Sequence, residues 1–314
     1  MASSAPTADR CTGSAGLTGV LLVIAAASLF GTIGTARVLG PDASSWSVGA
    51  LRLVVAALAL LAVAAWSDGG ARVWSLVRRR ESLLAGAGQA AFQVTFLTAV
   101  QLTGVAVGTL VAIGSAPLVT GLITRQVSPR WLAATCLGLV GLTLLVTGSA
   151  ADLSVSGVVL ALGAGLGYAV YTTASSRLAA DAPAASVTAA GFVVAAVVLL
   201  PALILTDSSW AVSGDGIALV AYLSLVATTL AYLLFVTGLR SVPAPTAQTL
   251  GLTEPVVATL LGVLVLGERL GPMGLLGAAT VLAGLVVLGR APSRLRSVHD
   301  RPTTPAPGAR SPGS

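Results

Sequence analysis

Apolar positions in this chain neither alternate nor mark one face of a helix; they run on in blocks of about twenty, broken by short polar or Gly- and Pro-bearing stretches. A helix rising 1.5 Å per residue needs about 20 such residues to cross the roughly 30 Å hydrocarbon layer of a bilayer. Blocks of that length lie near 17–36, 46–66, 82–101, 104–124, 131–149, 155–176, 185–205, 215–237, 243–266 and 272–290. The third and fourth are nearly continuous over 82–124, too long for one span, and Gly104 marks the expected turn. The pattern predicts an all-α integral membrane protein with ten transmembrane helices. The first block is longer than the apolar stretch of a secretory signal and nine spans follow it, so it reads as a retained helix.

The blocks repeat. An offset of 138 residues carries Gly19 onto Gly157, Phe30 onto Tyr168, Ala106 onto Ala244 and Pro117 onto Pro255. The aromatic residue closes a run of small residues in both halves, AAASLF and GAGLGY, and the proline closes VAIGSAP and LGLTEP. Beyond Pro117 the offset becomes 143, matching Pro129 to Pro272 and Gly141 to Gly284. Each half holds five spans, and an odd number turns the second copy upside down in the membrane. A five-plus-five inverted repeat is expected, with repeats at 17–149 and 155–290, an N-terminal tail at 1–16 and a C-terminal tail at 291–314. Inverted repeats are characteristic of secondary transporters. The C-terminal tail, rich in Pro, Ser, Thr and Arg and holding the single histidine, His299, is expected to be disordered.

Composition agrees with a bilayer setting. Of 314 residues, 55% are hydrophobic and 9% charged, which excludes an ordinary soluble globular domain. All 17 basic residues are arginines. With the N-terminus inside, fourteen of them fall on the cytoplasmic side, Arg37 and Arg269 lie outside, and Arg52 sits within a span. The positive-inside rule therefore predicts a multi-pass cell-membrane protein with both termini cytoplasmic. The net charge of +6 reflects those loops, and with no binding module no nucleic-acid partner is expected. Cys11 in the tail and Cys136 in the fifth span are not placed to form a disulfide.

The stretch from Ala218 to Leu288 resembles the EamA-type repeat of the drug/metabolite transporter (DMT) superfamily. It has an aromatic-bearing helix, a short turn, a helix carrying Glu254-Pro255, a Gly267-Glu268-Arg269 end and a glycine-studded last helix. The first half departs from that pattern: Ala116 stands where the second half has Glu254, and ITRQVSPRW has no counterpart of Glu268. The resemblance spans about 17–290 and implies a ten-helix, five-plus-five carrier, commonly an exporter of amino acids or related metabolites.

Glu254 sits midway along the uncharged run 243–266. An acidic residue at the centre of a span costs about 2.5 to 3.5 kcal/mol on insertion scales, and such residues usually mark substrate or proton paths. Ala247, Gly251, Ala258 and Gly262 share its helical face, leaving room for a ligand or for a closely packed helix. Two readings stay open: a proton or substrate site, or a carboxyl that hydrogen-bonds a neighbouring helix beside a Pro255 kink, with Pro117 as the matching kink. Arg52 suits a carboxylate or phosphate; snorkelling outward or pairing with Asp42 is the alternative. Gln89 and Gln93, four apart, form an amide face a lipid-exposed helix would avoid. With Thr228, Tyr232 and Tyr168, joined by Thr229, Tyr171 and Thr172, they outline a cavity for a polar or amphipathic organic solute; interhelical bonding explains each taken alone. GxxxG spacings at 104–108, 163–167 and 267–271 point to close helix packing. Glu268 and Arg269 are expected to cap the ninth helix.

No HExxH, paired intramembrane aspartates or nucleophilic Ser with a His partner occurs. DGGAR at 68–72 lacks the further aspartates of a metal-dependent headgroup transferase. An enzyme is not expected, nor is any cofactor or metal. No GxxxxGK[ST] motif occurs, so a gradient or exchange supplies the energy. The expected function is a secondary active exporter of amino acids or related small metabolites; drug efflux, small-metabolite uptake and a non-transporting membrane scaffold are the alternatives. Expected partners are a small-molecule substrate and the lipid bilayer, with a homodimer left open.

Overall fold

The computed structural model describes residues 9–146, 154–267, 269 and 271–289, and among them all regular structure is helical. The helices are α1 (Asp9–Leu39), α2 (Ser45–Asp68), α3 (Ala71–Val77), α4 (Arg80–Thr124), α5 (Pro129–Val146), α6 (Val155–Ala179), α7 (Ala184–Leu205), α8 (Gly214–Ala221), α9 (Ala231–Gly238), α10 (Ala244–Leu250), α11 (Thr253–Leu266) and α12 (Pro272–Gly289). A π-helical stretch, Tyr222–Leu230, joins α8 to α9 into one continuous rod. Among the described residues ten segments are long and apolar enough to cross a membrane, in the order the sequence predicts.

Gly104 performs the expected break. At φ 78° and ψ 162° it departs from helical geometry inside α4, dividing it into spans Arg80–Gly104 and Val107–Thr124. A side chain would be strained at that φ. The ninth span differs from expectation: it is two helices, α10 and α11, separated at Gly251 and Leu252. Pro255 therefore lies in the first turn of α11, where its missing N–H leaves no helical bond unmade, and the discontinuity precedes it. Pro117 lies within a helix whose single non-helical residue is Gly104. After the left-handed Gly69 and Gly70 the DGGAR segment runs into α3, which buries Val73 and Leu76 against α7.

The principal packings join one half of the chain to the other: α1 against α9 and α11, α4 against α6, α2 against α7, and α5 against α12. Glycines set how closely these helices approach. A Cβ on Gly88 would lie 2.6 Å from the Gly167 carbonyl, and one on Gly167 would lie 2.7 Å from the Gly88 carbonyl, so α4 and α6 cross backbone to backbone. The contacts also follow the sequence offsets. Gly19 abuts Ser241, and Gly157, 138 residues on, abuts Thr103, which is 138 before Ser241. Gly141 abuts Gly277 and Val281 on α12, while Gly284 abuts Ala134 and Gly138 on α5; an offset of 143 exchanges the two sets. Of the GxxxG spacings, Gly267–Gly271 does not serve packing. Gly267 is the left-handed cap of α11, and the space beside both glycines is open.

Trp210 links two distant segments. Asp207 accepts from the Ser209 N–H and hydroxyl at 2.9 Å each, which holds its carboxyl below the usual carboxylate range and turns the chain into a 3₁₀ helix, Ser209–Val212. Trp210 Nε1 then donates to Ser47 Oγ on α2 at 2.8 Å. Residues 9–16 of the expected N-terminal tail begin α1, whereas residues 1–8, Glu268 and the C-terminal tail, with His299 and the expected disorder, lie outside the described residues, as does the Cys11 side chain.

Gly88→Val forces a branched side chain into the α4–α6 crossing and is expected to lower the thermal unfolding temperature in detergent, with a cost of about 1–3 kcal/mol. Gly271→Ala, at an open position, is expected to leave it unchanged.

Candidate functional site

A cavity of about 420 Å³ lies between the two halves, bounded by α1, α2, α4, α5, α6, α11 and the rod of α8 and α9. It runs from Tyr168, Tyr232 and Glu254 at mid-depth to Arg37, Ser45 and Val146 at the end of the bundle remote from the arginine-rich loops. Five of the seven residues singled out from sequence line it: Glu254, Arg52, Gln93, Tyr168 and Tyr232.

Arg52 and Glu254 face this space from different halves. Arg52 is held by one hydrogen bond, Nη2 donating to Gln93 Oε1 at 3.0 Å, and its Nε is covered without a partner. Gly49, one turn before Arg52, makes that bond achievable, because a Cβ there would strike the Gln93 amide. The Asp42 pairing considered for Arg52 does not form. Arg37 lies beside Asp42 instead and donates to the Ala43 carbonyl at 3.0 Å. Glu254 enters the cavity from the first turn of α11, where helix N-termini favour a negative charge. A Cβ on Gly31 of α1 would lie 2.6 Å from the Glu254 carbonyl, so α1 packs directly on this turn. No side-chain hydrogen bond or ion pair engages the Glu254 carboxyl, so the interhelical-bond alternative does not describe its arrangement. Arg52 and Glu254 lie within electrostatic reach of each other without pairing.

Gln89 and Thr228 are placed elsewhere. Gln89 is fully buried below the cavity and exchanges hydrogen bonds with the Tyr232 hydroxyl, its Nε2 donating at 3.0 Å and its Oε1 accepting at 3.2 Å. Thr228 donates to the Leu223 carbonyl, five residues back in the π-helical turn, at 2.6 Å. These two residues serve the structure around the cavity rather than its lining.

Beneath the cavity the path is blocked by aromatic rings and amides. Tyr232 packs against Phe30, Tyr171 and Phe192 with centroids 4.8, 5.3 and 4.7 Å apart, and Tyr168 against Phe92 at 5.4 Å. Gln248 Nε2 donates to Thr172 Oγ1 at 2.6 Å, tying α10 to α6, and the Thr135 and Thr249 hydroxyls meet at 2.9 Å. Below this layer a second pocket of about 400 Å³ opens among Thr124, Gln126, Ser176, Arg177, Arg240 and Ser241 at the arginine-rich end. Gln248 went unrecognised in the sequence although the reasoning applied to Gln89 and Gln93 reaches it: an amide in an apolar span needs a partner. Phe92 and Phe96 carry no such signal, since an aromatic in a span faces lipid as readily as a cavity. Among the described residues no group of three His, Cys, Asp or Glu stands close enough to hold a metal.

Comparison with known proteins gives a consistent picture. The pattern of the EamA-like transporter family matches residues 155–290. The chain is 40% identical over 290 residues to a protein of Bacillus subtilis (strain 168) named uncharacterized transporter YwfM, covering 89% of this chain and 96% of that one. It is 30% identical over 275 residues to the threonine/homoserine exporter RhtA of Escherichia coli (strain K12), covering 84% and 88%. A solved crystal structure with 21% sequence identity superposes with a TM-score of 0.72 over 88% of this chain and 96% of the other, a likeness of fold.

The Gln89–Tyr232 pair makes a direct test of the barrier. Tyr232→Phe and Gln89→Leu are each expected to lower thermal stability in detergent. The double variant should lose less than the sum, with a coupling of about 1 kcal/mol.

Proposed function

The chain belongs to the EamA-like transporter family, and from that premise we propose that it is a secondary carrier exporting amino acids or related small metabolites across the cell membrane, driven by a proton gradient or by exchange. The observation that carries this reading is the unpaired Glu254 facing a closed-bottomed cavity shared with Arg52. A charge kept in a membrane interior is costly, and a gradient-driven carrier has a use for a carboxyl that takes up and releases a proton or a cationic group. The named activity of RhtA, threonine and homoserine export, supports amino acids as the substrate class.

The positive-inside rule assigns the arginine-rich end to the cytoplasm, so the cavity faces outward and the pocket at Arg177 and Arg240 faces inward. The layer of Tyr232, Gln89, Tyr171, Phe192 and Gln248 is then the inner barrier. Export requires that barrier to part while the outer mouth closes. An inverted five-plus-five repeat supplies two related arrangements for that exchange, and the interchange of the Gly19 and Gly157 contacts and of the Gly141 and Gly284 contacts supports such a repeat. Two spans depart from the regular i→i−4 hydrogen-bond register near mid-membrane. The π-helical turn lies above Tyr232 and the α10–α11 break lies just before Glu254, giving the chain flex points on both sides of the site.

Proteoliposomes loaded with a pool of labelled amino acids are expected to release at least one of them faster than protein-free liposomes under an imposed pH gradient. Glu254→Gln is expected to reduce the gradient-dependent part at least tenfold in protein that stays monodisperse. Wild-type release that ignores the gradient and the presence of exchangeable solute would contradict gradient-driven carriage.

A further inference from the structure

We propose that the cavity is a receptor for zwitterions, in which Arg52 takes the carboxylate and Glu254 the ammonium of an α-amino acid whose large apolar side chain lies against Phe92, Phe96, Ile113 and Leu142. This rests on the carrier reading above and names its substrate class.

Charge balance is the first argument. Two guanidiniums line this cavity, but Arg37 at its mouth lies beside Asp42 and donates to the Ala43 carbonyl; deeper in, Arg52 and Glu254 face each other from opposite halves, and no ion pair joins them. An uncompensated charge in a protein interior is strongly unfavourable. An anionic solute satisfies Arg52 and leaves Glu254 alone, a cationic solute does the reverse, and an uncharged solute leaves both. A zwitterion neutralises both at once and adds no net charge.

Geometry is the second argument. The Arg52 fork is oriented by its bond to Gln93 Oε1, and this is the one hydrogen bond its five N–H groups make, so donors remain for a carboxylate. Glu254 has no hydrogen-bond partner of its own and faces the same space. The two ends of the clamp also belong to different halves of the chain, α2 and α11. A bound zwitterion therefore ties the halves together in a way that neither charge does alone.

The wall sets the side chain. Away from the two charges, the cavity wall is mostly apolar, with Phe92, Phe96, Leu97, Ile113 and Leu142, and Thr109 as its polar member. Thr259, which also lines the cavity, already donates to the Pro255 carbonyl at 2.8 Å. A substrate hydroxyl held against these apolar side chains and out of reach of Thr109 loses its water partners, which costs about tenfold or more in affinity.

The test is counterflow of labelled leucine and phenylalanine into wild-type proteoliposomes, competed by unlabelled leucine, leucinamide, 4-methylpentanoate and threonine. Leucine is expected to compete at least tenfold better than leucinamide, which lacks the carboxylate, than 4-methylpentanoate, which lacks the ammonium, and than threonine. Arg52→Gln should narrow the gap between leucine and leucinamide to within about threefold, and Glu254→Gln the gap between leucine and 4-methylpentanoate. Arg52→Lys should restore part of the first gap. Equal competition by leucine and either analogue in wild type overturns the zwitterion assignment and needs no variant to fold. Variants that weaken every solute equally, with the gaps unchanged, overturn the assigned roles of the two residues. Threonine competing better than leucine overturns the apolar side chain and leaves amino-acid carriage standing. Counterflow of tetraphenylphosphonium with none of leucine, phenylalanine or threonine overturns this proposal together with the amino-acid reading.

Discussion

A hydrocarbon layer offers no water to a polar atom, so a polar group in these spans is costly unless it finds a partner inside the bundle or faces a cavity. Hydroxyls on the spans largely meet the demand locally: Thr103, Thr120, Thr188 and Thr259 each donate to the carbonyl four residues back. Amides meet it across helices, Gln89 with Tyr232, Gln93 with Arg52 and Gln248 with Thr172. The buried hydroxyls of Ser224, Thr229 and Thr253 have no partner, and two charges also stand outside the pattern. Glu254 makes no side-chain bond and Arg52 makes one, and both line the space between the halves. The surrounding architecture makes that arrangement sustainable: Gly49 admits the Gln93 amide, Gly31 lets α1 lie against the first turn of α11, and the helix start at Thr253 places Glu254 at a helix N-terminus, which favours a negative charge.

Close approach is the second requirement, and it is met without large side chains. Lipid tails are as apolar as leucine, so helices in a membrane associate through packing and hydrogen bonds rather than by escaping water. The backbone contacts at Gly88–Gly167 and Gly141–Gly277 supply that packing, and both join one half of the chain to the other. The barrier between cavity and inner pocket consequently consists of side chains from both halves: Phe30 and Gln89 from the first, Tyr171, Phe192, Tyr232 and Gln248 from the second. A relative movement of the halves must disturb it.

Much of this was legible in the sequence because a bilayer imposes a length scale. Ten apolar blocks, the break at Gly104 and the anomalous Glu254 follow from hydrocarbon thickness and the cost of burying charge. The offsets of 138 and 143 anticipated which glycines would occupy corresponding contacts. Other features depend on positions no local pattern encodes. Gln89 and Gln93 share a helical face, yet one locks Tyr232 and the other orients Arg52, a division set by which helix each meets. The π-helical turn before Tyr232 and the break before Glu254 leave no composition signal, since Tyr222–Leu230 and Ala244–Leu266 read as ordinary apolar runs. Gly267–Gly271 shows the converse: a packing motif in spacing that is a helix cap in fact.

The central claim is that one path runs through the bundle, open above Glu254 and shut beneath it. Side-specific labelling tests it most directly, with Cys11 and Cys136 replaced by serine and a single cysteine placed at Ala258 in the cavity or Ser176 in the inner pocket. A membrane-impermeant maleimide is expected to modify Ala258→Cys at least tenfold faster from the side bearing Ser45 than from the arginine-rich side, and Ser176→Cys with the reverse preference. Equal reaction of Ala258→Cys from both sides would mean a continuous pore with no barrier at Tyr232, and would contradict the account.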